Sequence, residues 1–351
     1  MLLVIFGAGA SYDSYADIPV EIQEPSRPPL ANQLFDDRKL FRTILKDFPG
    51  ILPLVTRLSK PSPSLEEELE SVQSDNRPIT AQRLAAIRFY LRSIMWSVEQ
   101  QWAGKHGGVT NYKTLLDDIE QWRSANNERV CLVTFNYDKM LEDALSEIGV
   151  KCSSIQDYIS HPIYKVIKLH GSVDWAHPVG LQFGSPPSDD MAVMRQLIAG
   201  VQTLRIEPEI ETILNPKEVS RKANIGIDSG YHMLFPAIAI PVVSKSRFEC
   251  PKAHRNALED LLPEVTRILT VGWRGSEKHF LRMLNSVSRL EQIIIVAGSP
   301  KDTEEVKQHL RDGGIDALEI VVAPAGFSEA LRSKQVRLAL MPGKASLAAM
   351  R

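Results

Sequence analysis

Short, unbroken apolar runs that alternate with helical patterns constrain this chain more than any other feature. Leu2 to Phe6, Val130 to Thr134, YKVIKL, HMLFPAIAIPV, RILTVGW, QIIIVAG and ALEIVVA have the length and β-branched content of buried strands. CPKAHRNALEDLLPEV, GSEKHFLRMLNSV and TEEVKQHLRDGG carry helical spacing between the later ones. Strands without polar alternation are covered on both faces, and strand–helix alternation builds a parallel sheet. The expected fold is α/β, a Rossmann-like doubly wound parallel sheet.

Two stretches interrupt that order. Residues 28–128 have helical texture, clearest in LEEELESV and ITAQRLAAIRFYLRSIMWSVEQQW, and are read as a helical insertion. Residues 181–228 are mixed and rich in Gly, Pro and Ser, and are read as a second insertion. The sheet domain is then expected from 1–27, 129–180 and 229–335, with 336–351 a loose tail. Pro19, Pro25, Pro28 and Pro29 exclude a continuous helix after the first turn, so Asp17 to Leu30 reads as a loop or lid.

The 351 residues, 44% hydrophobic and 24% charged with a formal net charge of -2, describe a globular chain without a global field for nucleic acid or anionic lipid. Cys131, Cys152 and Cys250 have no metal-binding spacing and are odd in number, which argues against a disulfide framework or a cysteine zinc site. The N-terminus lacks a basic region and a long apolar stretch, and no segment has the roughly 18 apolar residues of a membrane span. A reduced, cytoplasmic protein is expected, with no metal.

In an open parallel sheet, ligands sit at the carboxyl ends of the strands. Polar turns fall at five such ends: Gly7–Ser11, Asn136–Asp138, His170–Ser172, Gly272–Glu277 and Gly298–Ser299. Each has a plain alternative. Glycines serve close packing, Asn136 and Asp138 are helix-capping types, His170 suits a core, Gly298 suits a helix start and Asp13 suits a turn. Taken together, five such turns on one edge define a candidate site.

GAGAS, TFNYD, LHGS and VGWRGSE, in that order, resemble the sirtuin fold, whose corresponding stretches read GAGIS, TQNID, HG and a GTS-type loop. The resemblance covers the Rossmann-like parts and neither insertion. The four zinc-ribbon cysteines of the protein deacylases are missing. EPSRPPLANQLF stands where they carry Pro-Asp-Phe-Arg, with Arg27 the one counterpart, and Phe135 and Tyr137 replace Gln and Ile. These departures resemble the sirtuin-like domains of bacterial antiphage systems, which hydrolyse NAD.

The resemblance implies an NAD glycohydrolase that releases nicotinamide and ADP-ribose and depletes NAD in antiviral defence. NAD is then the substrate. By the same resemblance Gly7, Ala8, Gly9 and Ser11 would hold the pyrophosphate, with Asp13 and Arg27 nearby. Asn136 would position the ribose and the attacking water, Asp138 the carboxamide, and His170 would act as general base. Gly272, Ser276 and Glu277 would line the adenosine side, and Phe135, Tyr137 and Gly298 are further expected to contact NAD. A constantly active NADase is lethal, so control is expected from self-assembly or from a partner such as a HerA-like ATPase or an Argonaute-type protein, with no membrane or direct nucleic-acid contact. The alternatives are a module that senses NAD or ADP-ribose without cleaving it, and an NAD-dependent deacylase or ADP-ribosyltransferase.

Overall fold

The computed structural model describes residues 1–15, 18, 24–58, 65–74, 77–106, 109–183, 189–215, 217–225, 228–242 and 248–341. Its strands are β1 (Leu2–Phe6), β2 (Val130–Thr134), β3 (Tyr164–Lys168), β4 (Gly171–Phe183), β5 (Glu211–Thr212), β6 (Ser220–Ile225), β7 (Asp228–Ile238), β8 (Arg267–Val271), β9 (Gln292–Val296) and β10 (Glu319–Ala323). Six of them form a parallel sheet in the order β10-β9-β8-β1-β2-β3. From the other edge this is 3-2-1, then the later strands in turn, the doubly wound order with its switch point between β1 and β8.

The period of two along each strand divides the core into two layers. Leu2, Val4, Phe6, Leu132, Val166 and Leu269 face one way, under helices Asn111–Asn126, Met140–Glu147 and Phe327–Arg332. Leu3, Ile5, Val133, Ile167, Ile268 and Ile293 face the other, under helices Lys252–Leu261, Lys278–Leu284 and Pro300–Asp312. Both faces are dry, which is why these strands carry no polar alternation.

The remaining strands form an antiparallel sheet, β5-β4-β7-β6. The run HMLFPAIAIPV, expected in the parallel sheet, supplies β7 here, so the boundary at 229 does not start a parallel strand. β7 pairs with β4, from Gly171↔Ile238 to Phe183↔Gly230. Of the second expected insertion, residues 184–188, 216 and 226–227 lie outside the described residues, and the rest holds helix Asp190–Gly200, connecting turns and parts of this sheet.

The helical block is present and centres on helix Pro78–His106. Ile87, Phe89, Tyr90, Leu91, Ile94, Met95 and Val98 are all buried, so this helix is covered around most of its circumference. Phe89 meets Phe235 of β7 edge-on at 5.5 Å. Helix Asn111–Asn126, inside the expected insertion, instead packs on the parallel sheet as the crossover between β1 and β2. Gln335–Leu340, expected as tail, is helical and buries Val336, Ala339 and Leu340 in the same layer; residues 342–351 lie outside the described residues. Residues 17 and 19–23 of the expected lid do too. Among the described residues, no helix is long and apolar enough to cross a membrane.

Glu249 fastens the block to the antiparallel sheet. It accepts from Arg88 Nη1 of the long helix at 2.9 Å and pairs with His177 Nε2 of β4 at 2.6 Å. Burial works against its charge, but the His177 hydrogen bond and the Arg88 guanidinium outweigh it and hold the carboxyl at about 2, below the ordinary 4.5. A depressed carboxyl stabilises the fold above its unfolded value and loses that contribution as pH falls through its folded value. We therefore predict that Glu249→Gln costs about 3 kcal/mol at pH 7. Urea titrations at pH 7 and pH 4 should show the deficit narrowing by about 1 kcal/mol at the lower pH.

Candidate functional site

The six parallel strands end level. Phe6 pairs with Thr134 and with Val271, Thr134 with Lys168, Val271 with Val296, and Ala323 with Val296. The residues that follow them therefore meet along one edge. A cleft of about 320 Å³ opens there across the switch point, within the usual range of about 300–1,000 Å³ for small-molecule sites. Gly7, Ala8, Gly9, Ser11, Asp13, Phe135, Asn136, Tyr137, Asp138, His170, Gly272, Ser276, Glu277 and Gly298 all line it.

The turns after β1 and β8 touch backbone to backbone. A Cβ on Gly7 would stand 2.5 Å from the Gly272 carbonyl oxygen, and one on Gly9 would stand 2.8 Å from Gly272 Cα. Gly272 itself has φ +58, and a Cβ there would come within 2.3 Å of the Ala10 nitrogen. All three positions require glycine for packing alone. The amides are committed as well. Gly7 donates to the Val271 carbonyl at 3.0 Å and Gly9 to the Gly272 carbonyl at 3.1 Å. The expectation that Gly7 and Gly9 hold a pyrophosphate through their amides is therefore corrected, because the end of β8 and the turn after it have taken them.

A buried network joins the first two turns. Ser11 Oγ donates to Asp138 Oδ2 at 2.7 Å and lies 2.9 Å from the Tyr112 hydroxyl. Asn136 Nδ2 reaches the Gly7 carbonyl at 2.9 Å, Ser11 Oγ at 2.9 Å and Tyr112 Oη at 3.1 Å. Asp138 Oδ1 accepts from the Met140 amide, opening helix Met140–Glu147. Both Asp138 oxygens are thus engaged inside the protein, and the residue fixes Ser11 and the helix start. Lys168, fully buried at the end of β3, donates to the Asp138 carbonyl and to Glu142 Oε1. Burial works against the Lys168 charge, but the Glu142 carboxylate outweighs it and holds the ammonium above its ordinary pKa.

His170 and the aromatic residues form the opposite wall. Phe135 meets His170 at 4.8 Å between ring centroids and lies parallel to Trp273 at 6.1 Å, with an interplanar angle of 5°. Trp273 Nε1 donates to Glu277 Oε2 at 2.7 Å. Tyr137 donates its hydroxyl to the Ala239 carbonyl at 2.8 Å, anchoring its turn to the antiparallel sheet. Gly171, next to His170, has φ +80, and a Cβ there would lie 1.9 Å from the Ala237 carbonyl oxygen.

Asp13 and Arg27 have structural partners. Asp13 accepts from the Ser328 amide at 2.9 Å and from its hydroxyl, holding the start of helix Phe327–Arg332; burial raises its carboxyl pKa despite those bonds. Arg27 is buried but does not line the cleft, which corrects its expected role. Its guanidinium stacks over Tyr12 and Trp102 and bonds to the Tyr12 and Ile18 carbonyls.

Other lining residues are not among the expected site residues. Pro29, Leu30, Leu34 and Met95 come from the helical block and close the cleft with apolar surface. Tyr12 and Trp273 add aromatic walls. Tyr112 stands on a helical stripe of core residues, and its periodicity is that of ordinary packing. Among the described residues, no group of three His, Cys, Asp or Glu side chains is placed to hold a metal ion.

No protein-family model matches the sequence, and no curated protein matches it. Among solved structures it is similar to a triply substituted Sir2 homologue in complex with 2'-O-acetyl ADP ribose. The two share 13% identity over 98% of this chain and 94% of that chain, with a TM-score of 0.37. That likeness is too distant to assign a role to any residue.

The contact between the turns yields a direct test. Gly272→Ala forces a Cβ into backbone at a left-handed φ and should cost more than about 3 kcal/mol. Gly104→Ala, in helix Pro78–His106 with nothing within 4 Å, should be neutral or gain up to about 1 kcal/mol. Thermal unfolding of the two variants measures the contrast.

Proposed function

We propose that the chain is an NAD glycohydrolase, in which NAD and water give nicotinamide and ADP-ribose. The observation that carries this reading is the cleft itself: a doubly wound sheet brings the Asn136 and His170 turns to one small cavity beside the glycine turns. The C1'–N bond breaks with its electron pair going to the nicotinamide nitrogen, which leaves an oxocarbenium-like ribose. Water then forms the new C1'–O bond. The Asn136 carbonyl oxygen positions that water, His170 accepts its proton, and the proton passes on to solvent. Phe135 and Trp273 give the departing ring an apolar aromatic surface.

The apolar wall from Pro29 to Leu34 and Met95 favours water over a polypeptide as acceptor, because it closes the cleft on the side of the helical block. This ranks hydrolysis above deacylation or ADP-ribosyl transfer to a protein. The same wall suggests where control would act, since a partner or second copy that moved helix Pro78–His106 would move Met95 in the cleft. In this reading the protein depletes NAD in antiphage defence, works in the cytoplasm, and is held in check by self-assembly or by a HerA-like ATPase or Argonaute-type partner. A module that senses NAD or ADP-ribose is the second reading. It is favoured by the internal engagement of Ser11, Asp138 and the glycine amides, which leaves few donors or acceptors for a strained substrate.

Chromatography of nicotinamide and ADP-ribose after incubation with NAD separates the two, with the chain alone and with the partner ATPase. Glycohydrolase activity should fall by about 10²–10⁴-fold in His170→Ala and be lost in Asn136→Ala. Tight ADP-ribose binding without product under either condition assigns the sensing role instead.

A further inference from the structure

The proton positions in the Ser11–Asn136–Asp138 network follow from counting donors. Asp138 accepts at both carboxylate oxygens, from Ser11 Oγ at 2.7 Å and from the Met140 amide at 3.2 Å. Ser11 has one hydroxyl proton and has given it to Asp138, so its oxygen only accepts from here on. The Tyr112 hydroxyl, 2.9 Å away, must therefore be the donor in that pair. Having given its single proton to Ser11, Tyr112 Oη also only accepts, and the Asn136 atom 3.1 Å from it must be the amide nitrogen.

The Gly7 carbonyl, which accepts and never donates, makes the same demand from the other side at 2.9 Å. Two constraints thus fix which end of the carboxamide faces inward. The Asn136 amide nitrogen turns inward, its two protons shared among the Gly7 carbonyl, Ser11 Oγ and Tyr112 Oη, and its carbonyl oxygen, with no hydrogen bond among the described residues, is left for a ligand hydroxyl or water.

We propose that Tyr112 is a positioning residue that acts through Asn136, holding its carboxamide so that the carbonyl oxygen faces the cleft. Tyr112 is suited to the task. It is 1% exposed, opens helix Asn111–Asn126, and is wedged between Phe6 and Phe327 at centroid distances of 5.2 and 5.9 Å. The preceding Asn111 ties the same helix end to the first turn, donating from its backbone to the Ser14 carbonyl at 2.7 Å and from its side chain to the Asp13 carbonyl at 2.8 Å. The hydroxyl therefore rides on a fixed mount. Burial raises its pKa well above the ordinary value, so the proton stays on Oη to be donated.

This role rests on the use of Asn136 in the proposed reaction, and the test separates the two. Tyr112→Phe keeps the ring and removes only the hydroxyl. We expect kcat for NAD hydrolysis to fall about tenfold, the scale of one buried hydrogen bond, with KM unchanged within twofold. In the Asn136→Ala background, the same substitution should change ADP-ribose affinity by less than twofold, because no carboxamide remains to be positioned. A kcat loss below twofold in Tyr112→Phe, or an affinity loss in the Asn136→Ala background as large as the expected kcat loss, would overturn the proposal.

A second arm needs no catalysis. In protein ¹⁵N-labelled selectively at asparagine and tryptophan, the Asn136 side-chain amide protons, identified by their absence in Asn136→Ala, should be protected from exchange and lose that protection in Tyr112→Phe. The Trp102 indole proton, bonded to Ser14 Oγ at 2.8 Å, should keep its protection. Unchanged Asn136 exchange, or loss at both sites, would sink the positioning role whether or not the wild type hydrolyses NAD. Intact positioning with no hydrolysis would fault only the reaction.

Discussion

The structure depends on the approach of two backbone turns, Gly7–Gly9 after β1 and Gly272 after β8. Their strands are neighbours in the sheet though some 260 residues apart in sequence, and they diverge at the topological switch point. Any side chain at the three glycines would meet backbone. The contact therefore sets how far the sheet can be drawn together at this edge, and so where the cleft opens. It also uses the glycine amides, so groups around the turns, rather than the turns alone, shape the polar character of the cleft.

Around this contact the polar side chains are arranged in depth. Ser11, Asp138, Lys168 and Glu142 are engaged with one another and with backbone. Their burial would be costly without those partners, and once satisfied they hold the neighbouring groups in fixed orientations. Asn136 is the point where this inner layer meets the cleft. Its nitrogen belongs to the interior and its carbonyl oxygen to the ligand side.

The parallel sheet and its turns were legible in the sequence because dry strands leave unbroken apolar runs and polar turns mark their ends. The strand at HMLFPAIAIPV was misplaced for the same reason. Met233 and Phe235 pack under the helical block, Leu234 against Ala176 and Ile213, and Ala237 in the layer beneath the parallel sheet. An antiparallel strand buried on both faces has lost the alternation that would identify it. Met95 and Tyr112 were illegible on helices whose apolar spacing reads as core. Asp13 and Arg27 were legible as unusual residues, yet their partners, Ser328 far along the chain and the Tyr12 and Trp102 rings, are set by tertiary structure.

The joint between the two sheets has one further consequence. β3 ends at Lys168 and β4 begins at Gly171, with the backbone pinned where Gly171 meets Ala237 and where the Ala239 amide bonds the His170 carbonyl at 2.9 Å. His170 therefore sits at the fulcrum of a stiff lever whose long arm is the antiparallel sheet. A small tilt of that arm by something gripping its far end would arrive at the imidazole as a change of angle, with no slack loop in between to absorb it.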